Sequence, residues 1–469
     1  MKSAKIVGLC SCILLASFIA AGCDPDDIPD DKQYGNTEDG IYTNLNGEKI
    51  YFRNSFIPAD PRDEEGSDPS TFGNPYLESR EEEAMFDMCL KIEDKYNCQI
   101  IRKPLGYDSN SDFAAAYATG QAPTDIVCTQ YADLLDFYKS DLLVDLNKLE
   151  TLDASNEEKW GAMRKREATT YKGALYAFPV QGSMYYPITN TYNGALIYNA
   201  DVYKTFDLDY TPKEMIENKQ WTFSGFYELL KSVNTIGDDR PIYSLALWNS
   251  LPTCAVYANG GDIMIKDSKG KYRFGYTEPN ALRALNWVRD VYMLDSVTFE
   301  NSDKEFDSGK ATFMLRPSQD AIKSKASDVT WVPFPYGPDV EYGTSYSSYF
   351  GFHERGTAII NHPNDYERVK MVGFIVDKLF EPTELYGKDG YHTYMERNFF
   401  NTHEDYEVYR EHGVKMHYDY GKELVKSEII SNLQNALDYG LRDSTNTMEH
   451  HMKSIEDLVN TIVAVEMNK

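Results

Sequence analysis

The chain has 469 residues, which is enough for two or three domain-sized hydrophobic cores. Its formal net charge is −27 at pH 7, and this acidity argues against nucleic-acid partners and against a body that lies flat on anionic lipid.

The first 23 residues form a short apolar segment with a basic start. Lys2 and Lys5 precede a mostly apolar run over residues 6–21, and Gly22 and Cys23 follow. The run of about 16 residues is shorter than the roughly 20 that a spanning helix needs, so the pattern predicts a secretory signal over residues 1–22.

The end of this segment, residues 20–23 (AAGC), resembles the lipobox of bacterial lipoproteins, in which the Cys becomes the lipidated first residue. Ala20 departs from the pattern, which favours Leu there. The resemblance implies that Cys23 carries a lipid anchor and that the mature chain works outside the cytoplasmic membrane. An ordinary signal peptide followed by a chance Cys is the alternative.

Residues 23–46 are predicted to be an acidic tether, because residues 24–31 (DPDDIPDD) contain too few apolar groups to bury a core. Beyond Cys23 the chain has four cysteines, which allow three full pairings: Cys89, Cys98, Cys128 and Cys254. No Cys-x-x-Cys motif and no His at zinc spacing is present, so we expect neither a metal site nor a cofactor.

The first half of the folded chain alternates strands and helices. Strands are predicted over residues 49–53, 98–101 and 125–128, and a helix opened by Asn74 and Pro75 separates the first two. A shorter helix near residues 113–119 precedes the third strand. This β-α-β-α-β rhythm predicts a parallel sheet with helices on its faces.

The rhythm continues through the second half. Residues 195–198 and 311–315 are predicted strands, Asn199 and Thr222 are predicted helix caps, and Pro279 opens a further helix. Apolar residues at helical intervals predict two more helices over residues 365–380 and 448–467.

Seven short segments in a fixed order resemble motifs of the family 1 extracellular solute-binding proteins, the maltose-binding-protein-like receptors of ABC importers. The segments are 118–127 (ATGQAPTDIV), 142–146 (LLVDL), 173–180 (GALYAFPV), 196–203 (LIYNADVY), 221–223 (WTF), 258–262 (ANGGD) and 308–314 (SGKATFM). Thr124 is an extra residue in the first motif, and Ala174 replaces the usual Lys in the third. The region after Tyr386 carries no matching motif.

The resemblance implies an α/β, two-lobed periplasmic-binding-protein-like fold of type II. Each lobe would be a mostly parallel sheet flanked by helices, with the ligand cleft between the lobes. The predicted first lobe comprises residues 47–176 plus 309–349, and the second comprises 177–308 plus 352–469. The chain crosses between them near Phe178 and Gly309. The lobes would close around the ligand by a hinge.

The resemblance also implies a function. The chain would be a monomeric, lipid-anchored receptor on the cell surface or the periplasmic face. It would capture an oligosaccharide and deliver it to the permease subunits of an ABC importer. Its 36 Tyr are compatible with sugar contacts, because a Tyr ring combines a flat apolar face with a polar edge.

Loops at the carboxyl ends of parallel strands form the crevice where open α/β sheets bind ligands. Asn54, Gln130 and Tyr131 follow strand ends and are therefore predicted ligand contacts. The resemblance to the family implies further contacts in its cleft loops and strand ends: Tyr185, Asn190, Tyr192, Trp248, Asn249, Arg316, Ser318, Gln319, Trp331 and Tyr349. For Trp248 the alternative is a core position, and for Arg316 it is a structural ion pair. The acidic cluster Asp303, Glu305 and Asp307 is predicted to be a solvated loop.

No catalytic motif is present: Gly-x-Ser-x-Gly, a phosphate loop and His-Glu-x-x-His are all missing. The chain is therefore predicted not to be an enzyme. Two alternative functions stay open, namely a secreted polysaccharide-active enzyme and a surface glycan-binding or sensor lipoprotein that works without a transporter. For the ligand, a peptide, a polyamine or a metal also stays open.

Overall fold

A computed structural model gives the structure of the chain. It describes residues 34–38, 41–54, 79–106, 110–160, 169–179, 194–237, 239, 241–247, 250–299, 302–344, 349–350, 355–381, 393, 396–397, 400–414, 417–418 and 427–466. The predicted signal segment, Cys23 and the helix start at Asn74 lie outside these residues. The predicted acidic tether over residues 23–46 is wrong in its last part, because residues 36–38 and 41–44 form two paired strands, and Tyr42 and Leu45 are buried in the hydrophobic core.

The described strands, in chain order, are β1 (Asn36–Glu38), β2 (Ile41–Asn44), β3 (Glu48–Asn54), β4 (Cys98–Pro104), β5 (Ile126–Gln130), β6 (Thr170–Tyr171), β7 (Ala174–Leu175), β8 (Phe178–Pro179), β9 (Ala195–Asn199), β10 (Tyr243–Leu247), β11 (Met264–Lys266), β12 (Tyr272–Phe274), β13 (Val297–Thr298), β14 (Ala311–Arg316), β15 (Val329–Val332), β16 (Tyr349–Phe350), β17 (Arg355–Ile359) and β18 (His417–Tyr418).

The described α-helices are α1 (Ser79–Tyr96), α2 (Asn110–Ala118), α3 (Tyr131–Lys139), α4 (Glu157–Trp160), α5 (Ala200–Lys204), α6 (Pro212–Glu217), α7 (Phe223–Ser232), α8 (Leu251–Ala258), α9 (Pro279–Tyr292), α10 (Ser302–Asp307), α11 (Ser318–Ala321), α12 (Tyr366–Leu379), α13 (His403–Val414), α14 (Ser427–Arg442) and α15 (Met448–Glu466). No helix among the described residues is both long and apolar enough to cross a membrane.

Two five-stranded sheets, counted over the described residues, organise the molecule. The first has the order β4-β3-β5-β17-β8, and the second has the order β13-β10-β14-β9-β15. In the first sheet β3 runs parallel to β4 and β5, while β17 runs antiparallel to β5. In the second sheet β10 runs parallel to β13 and β14, and β9 runs antiparallel to β14 and β15. The predicted two-lobed α/β fold is confirmed.

Several helix starts follow from local capping chemistry. The Asn199 side chain accepts a hydrogen bond from the Val202 amide at 3.1 Å, and the Thr222 hydroxyl accepts one from the Gly225 amide at 3.2 Å. Both predicted caps are confirmed. Thr211 and Glu214 form a reciprocal capping box at the start of α6, which satisfies two amides that the helix cannot bond internally.

The sheet pairings correct the predicted lobe boundaries. The segment 309–349 was assigned to the first lobe, yet its strands β14 and β15 hydrogen-bond to β9 in the second sheet. Conversely β17, predicted to belong to the second lobe, pairs with β5 and β8 in the first. Gly309 lies in the turn between α10 and β14 at φ +72°, so it is not a crossing between the sheets. The chain passes from the second sheet to the first between β15 and β17.

Trp160 packs against β8 and against the end of α12 in the first lobe. It is fully buried, and its ring stacks on Phe178 of β8 with the ring centroids 3.8 Å apart. Phe380, just beyond α12, packs on the same indole at 5.1 Å. Lys159 forms an ion pair of 2.7 Å with Asp377 of α12. The chain leaves the first lobe after β8 and again after α12. Trp160 therefore packs against the chain at both of these positions.

The last two helices form an antiparallel hairpin on the second lobe. α14 and α15 pack on each other and on α9, and α15 also lies against β12. The Asn460 side chain accepts a hydrogen bond from the Phe274 amide at 2.8 Å. α14 and α15, which lie in the region after Tyr386 that carries no matching motif, therefore add to the helical layer of the second lobe.

Candidate functional site

The carboxyl ends of the parallel strands in the first sheet bring Asn54 and Gln130 to the same edge. β3 ends at Asn54 and β5 ends at Gln130, which lies opposite Arg355, the first residue of the antiparallel strand β17. β8 reaches the same edge, since Pro179 pairs with Gly356. Gln130 is partly exposed. The structure thus brings Asn54 and Gln130 together at the edge where α/β sheets bind ligands.

Tyr131 follows Gln130 but points into the protein. Its side chain is 3% exposed, and a Cβ built on Gly356 would lie only 2.9 Å from its Cε1 atom. Gly356 is therefore needed for the ring to pack against β17. This position favours a supporting role behind the edge over a direct ligand contact.

Arg316 ends β14 at the corresponding edge of the second sheet, next to the start of β9 at Ala195. Its guanidinium donates to the Asp303 carboxylate at 2.6 Å and to the Ser302 hydroxyl at 3.4 Å. The structural ion pair that the sequence left open is thus present. The acidic cluster that was predicted to be a solvated loop is the helix α10 instead, and Asp303 in its first turn is 54% exposed. The pair places one cation and one accessible carboxylate side by side at this edge.

Ser318 and Gln319 start α11, directly after Arg316 and Pro317. Ser318 is completely buried, so its hydroxyl is enclosed by protein in this conformation. The side chain of Gln319 lies outside the described residues. Both residues share the edge with Arg316, as the resemblance implied.

Trp331 differs from the other predicted contacts because it lies in the core. It is 5% exposed on β15 and packs on Phe400 and Tyr409, with ring centroids 5.3 and 5.5 Å away. Its amide donates to Asp405 at 3.2 Å, and burial raises the pKa of that carboxyl. Trp331 is therefore a core residue, and its prediction as a ligand contact is wrong.

The remaining predicted contacts fall on segments that begin at these strand ends. They lie outside the described residues, either as whole residues or by their side chains: Asn54, Tyr185, Asn190, Tyr192, Trp248, Asn249 and Tyr349. β8 leads into the segment with Tyr185, Asn190 and Tyr192, and β10 leads directly into Trp248 and Asn249. Their place in the chain connects them to the two edges, and their role stays a prediction.

Sequence reasoning missed the network around Asn259. This fully buried side chain donates to the Asn280 carbonyl at 2.8 Å and to the Asp339 carboxylate at 2.7 Å, and it accepts from the Asp339 amide at 2.8 Å. A Cβ on Gly337 would lie 2.3 Å from the Asn259 Oδ1 atom. The network holds the segment after β15 against α8 and α9. In the sequence, only the family-like motif at residues 258–262 pointed to Asn259.

Asp125, which belongs to the first matching motif, lies at the opposite end of β5 from Gln130. It is 1% exposed and accepts hydrogen bonds from Arg368 at 2.7 and 2.8 Å and from the Tyr51 amide at 2.8 Å. Burial alone would raise the pKa of this carboxyl, but hydrogen bonds from His362 and Arg368 hold the pKa below its usual value. Asp125 is therefore a structural residue outside the candidate site.

Within the described part of the chain, no group of three or more His, Cys, Asp or Glu residues could hold a metal ion. The four cysteines beyond Cys23 are buried thiols rather than disulfides in this structure. Burial raises the pKa of the Cys98 thiol to about 12, so this thiol is protonated at neutral pH. The arrangement offers hydrogen-bonding groups at one edge of each of the two sheets.

Comparison with known proteins agrees with this geometry. Residues 87–353 match the sequence model of a family described as bacterial extracellular solute-binding protein. No protein with a curated function matches the sequence at a significant level.

Solved structures share the fold at low sequence identity. The GacH receptor of Streptomyces glaucescens, solved unliganded and with acarbose, has a TM-score of 0.59 and 14% identity, over 89% of this chain and 98% of that one. The cyclic alpha-maltosyl-1,6-maltose binding protein of Arthrobacter globiformis has a TM-score of 0.63 and 13% identity, over 89% and 99%. UgpB of Mycobacterium tuberculosis, solved with glycerophosphocholine, has a TM-score of 0.60 and 15% identity, over 90% and 100%.

The family match spans more than half of the sequence, and the two sheets supply the fold that these receptors share. The chain belongs to the bacterial extracellular solute-binding protein family.

Proposed function

We propose that the chain is a lipid-anchored extracellular receptor that captures an oligosaccharide between its two lobes and delivers it to an ABC importer. The observation that carries the proposal is the pair of polar sheet edges, with Asn54 and Gln130 on one sheet and Arg316 with Asp303 on the other. Planar amide, guanidinium and carboxylate groups are suited to the vicinal hydroxyls of a sugar.

The choice of a sugar over other solutes is supported by similar structures. One of them was solved in complex with acarbose, and another is a cyclic alpha-maltosyl-1,6-maltose binding protein. The structure of the receptor that was solved with glycerophosphocholine is equally similar, so the fold alone does not select the ligand class. On the second edge the Arg316 guanidinium already pairs with the accessible Asp303 carboxylate, which would repel a phosphate, and this favours a neutral hydroxylated ligand.

A thermal-shift panel tests the ligand class. It contains maltotetraose, a xylan digest, a pectin digest and glycerophosphocholine. A ligand at a hundred times its dissociation constant should stabilise the folded receptor by about 2.7 kcal/mol. We expect an oligosaccharide to raise the melting temperature. If glycerophosphocholine alone does so, the carbohydrate proposal is wrong.

Transport without catalysis is part of the proposal. A receptor returns its ligand unchanged, whereas a polysaccharide-active enzyme shortens it. Incubation of the stabilising oligosaccharide with the protein, followed by chromatography of the sugar, should recover the starting material. Shorter products would favour the enzyme alternative.

The lipid anchor is proposed from the sequence around Cys23. The Cys23→Ser protein is expected to appear in the medium or periplasm, while the wild-type protein partitions into detergent. Retention of Cys23→Ser in the membrane fraction would contradict the anchor.

A further inference from the structure

We propose that the groove between α14 and α15 is a second saccharide-binding subsite, separate from the cleft between the lobes. The inference rests on the proposed function for its ligand class, but it uses different residues on the outer face of the second lobe. It is carried by the shape of the groove, by its exposed aromatic ring, by two hydrogen-bonding side chains without a partner among the described residues and by the rigidity of its closed end.

The shape of the groove follows from how the two helices approach each other. At Gly440 they come so close that an added Cβ would lie 2.7 Å from Met448 Sδ and 3.3 Å from His451 Cβ. The groove between the two helices extends from Asp443 at the connecting turn to Asn432 and Ile455, and it has a volume of about 490 Å³. That volume is in the range of small-ligand sites.

Tyr439 gives the groove its apolar surface. The side chain is 71% exposed, the highest value among the exposed large hydrophobic residues that the structure describes. Ala436 and Ile455 lie beside it along the floor of the groove. A large exposed ring next to a concave floor is typical of a contact surface, and the apolar face of a sugar ring fits such a platform.

Asn435 and Arg442 line the same groove and supply planar donors. Among the residues that the structure describes, neither side chain makes a hydrogen bond or an ion pair with another residue. For Arg442 this is notable in a chain with a net charge of −27, where acidic partners are abundant. Both planar groups can bind two adjacent hydroxyls at once, or a sugar carboxylate in the case of Arg442.

The closed end of the groove is rigid. The Asp443 carboxylate accepts hydrogen bonds from the Thr445 amide at 2.7 Å, the Asn446 side chain at 2.8 Å and His451 Nε2 at 2.9 Å. These bonds, that from the Asn446 side chain first, hold the pKa of Asp443 below its usual value. Arg289 of α9 also donates to the Asp443 and Asn446 carbonyls. A wall that is already ordered loses little entropy when a ligand binds.

Saturation-transfer NMR tests the subsite, because it detects weakly bound sugars. Maltotetraose and trigalacturonate are the two probes, and they separate a neutral sugar from one with carboxylates. Tyr439→Ala should reduce the signal of at least one probe roughly threefold or more, since the stacking platform is lost. Tyr210→Ala removes a ring that is 49% exposed on the same lobe, outside the groove, and should leave the signal unchanged.

A second measurement separates this inference from the proposed function. Tyr439 is exposed, so Tyr439→Ala should fold and should keep the ligand-induced rise in melting temperature that reports on the cleft. A cleft response without any signal that depends on Tyr439 overturns the subsite and leaves the proposed function standing. A saturation-transfer signal that depends on Tyr439, without a ligand-induced rise in melting temperature, supports the subsite and overturns the proposed function. If neither is seen, both are overturned.

Discussion

The carboxylate of Asp125 ties together three parts of the first lobe. It accepts hydrogen bonds from Arg368 of α12 and from the amide of Tyr51 in β3, and His362 Nε2 lies 3.0 Å from one of its oxygens. Arg368 also donates to the Lys49 carbonyl at 2.7 Å. Asp125 therefore fixes the helix α12 on the sheet. The candidate ligand contact Gln130 lies at the other end of the same strand, β5.

Asp125→Asn should strongly destabilise the protein. The substitution leaves the Arg368 guanidinium without its main counter-charge in a largely buried site, and breaking such a pair costs about 3–5 kcal/mol. Urea unfolding gives the measurement. Asp303→Asn is the matched control, because the Asp303 carboxylate is 54% exposed whereas that of Asp125 is 1% exposed, and a pair with one solvated carboxylate should contribute no more than about 1 kcal/mol. Equal losses for both variants would contradict this account of Asp125.

Stability should also fall in acid because of the same carboxyl. The folded-state pKa of Asp125 is lowered relative to an unfolded value of about 3.9. Its contribution is therefore fully present above about pH 4 and is lost as the pH falls towards the folded-state pKa. Urea midpoints measured from pH 7 to pH 3 should drop more steeply for the wild type than for Asp125→Asn. Parallel curves would show that other groups dominate.

At the scale of elements, Trp160 links the helix α12 and the strand β8 at the points where the chain leaves the first lobe. Its ring is stacked on Phe178 and touches Phe380, and its Nε1 atom donates to the Asp153 carbonyl at 2.8 Å. A substitution of Trp160 therefore changes the packing at two of the connections to the second lobe.

Trp160→Ala should cost about 3–5 kcal/mol, as expected for removing a large buried aromatic side chain. Trp160→Phe is the matched control, because it keeps a ring between Phe178 and Phe380 and loses only part of that amount. Urea unfolding followed by circular dichroism measures both. A Trp160→Ala protein as stable as wild type would show that the stack does not anchor these elements.

Local features of these elements were predictable, whereas their long-range partners were not. The caps at Asn199 and Thr222 act within three residues, so the sequence alone shows them. β14 was correctly predicted as a strand, but an apolar strand carries no mark of which sheet it joins. Its pairing of Phe313 with Tyr198 depends on residues more than a hundred positions away. The predicted lobe boundaries were wrong for this reason.

The same contrast applies to the site. Gln130 and Arg316 could be predicted because each ends a recognisable strand. The partner of Arg316 could not, since Asp303 looked like one acid among 74 Asp and Glu residues. Trp331 resembled a ligand platform in sequence, yet Phe400 and Tyr409 from a distant segment enclose it.

At the scale of the whole molecule, two α/β lobes present polar strand ends, and the chain connects them after β8, after β15 and after α12. Such connections allow the lobes to rotate as rigid bodies, and ligand that contacts both edges favours the closed form. The receptor is expected to act as a monomer, because each copy contains both edges.

Small-angle X-ray scattering tests the central claim most directly. The sample is the chain without its signal segment, measured alone and with the oligosaccharide that raises its melting temperature. Binding between the lobes predicts a smaller radius of gyration at saturation and an unchanged monomeric mass. An unchanged radius in the presence of a bound, saturating oligosaccharide would contradict capture by closure of the two lobes.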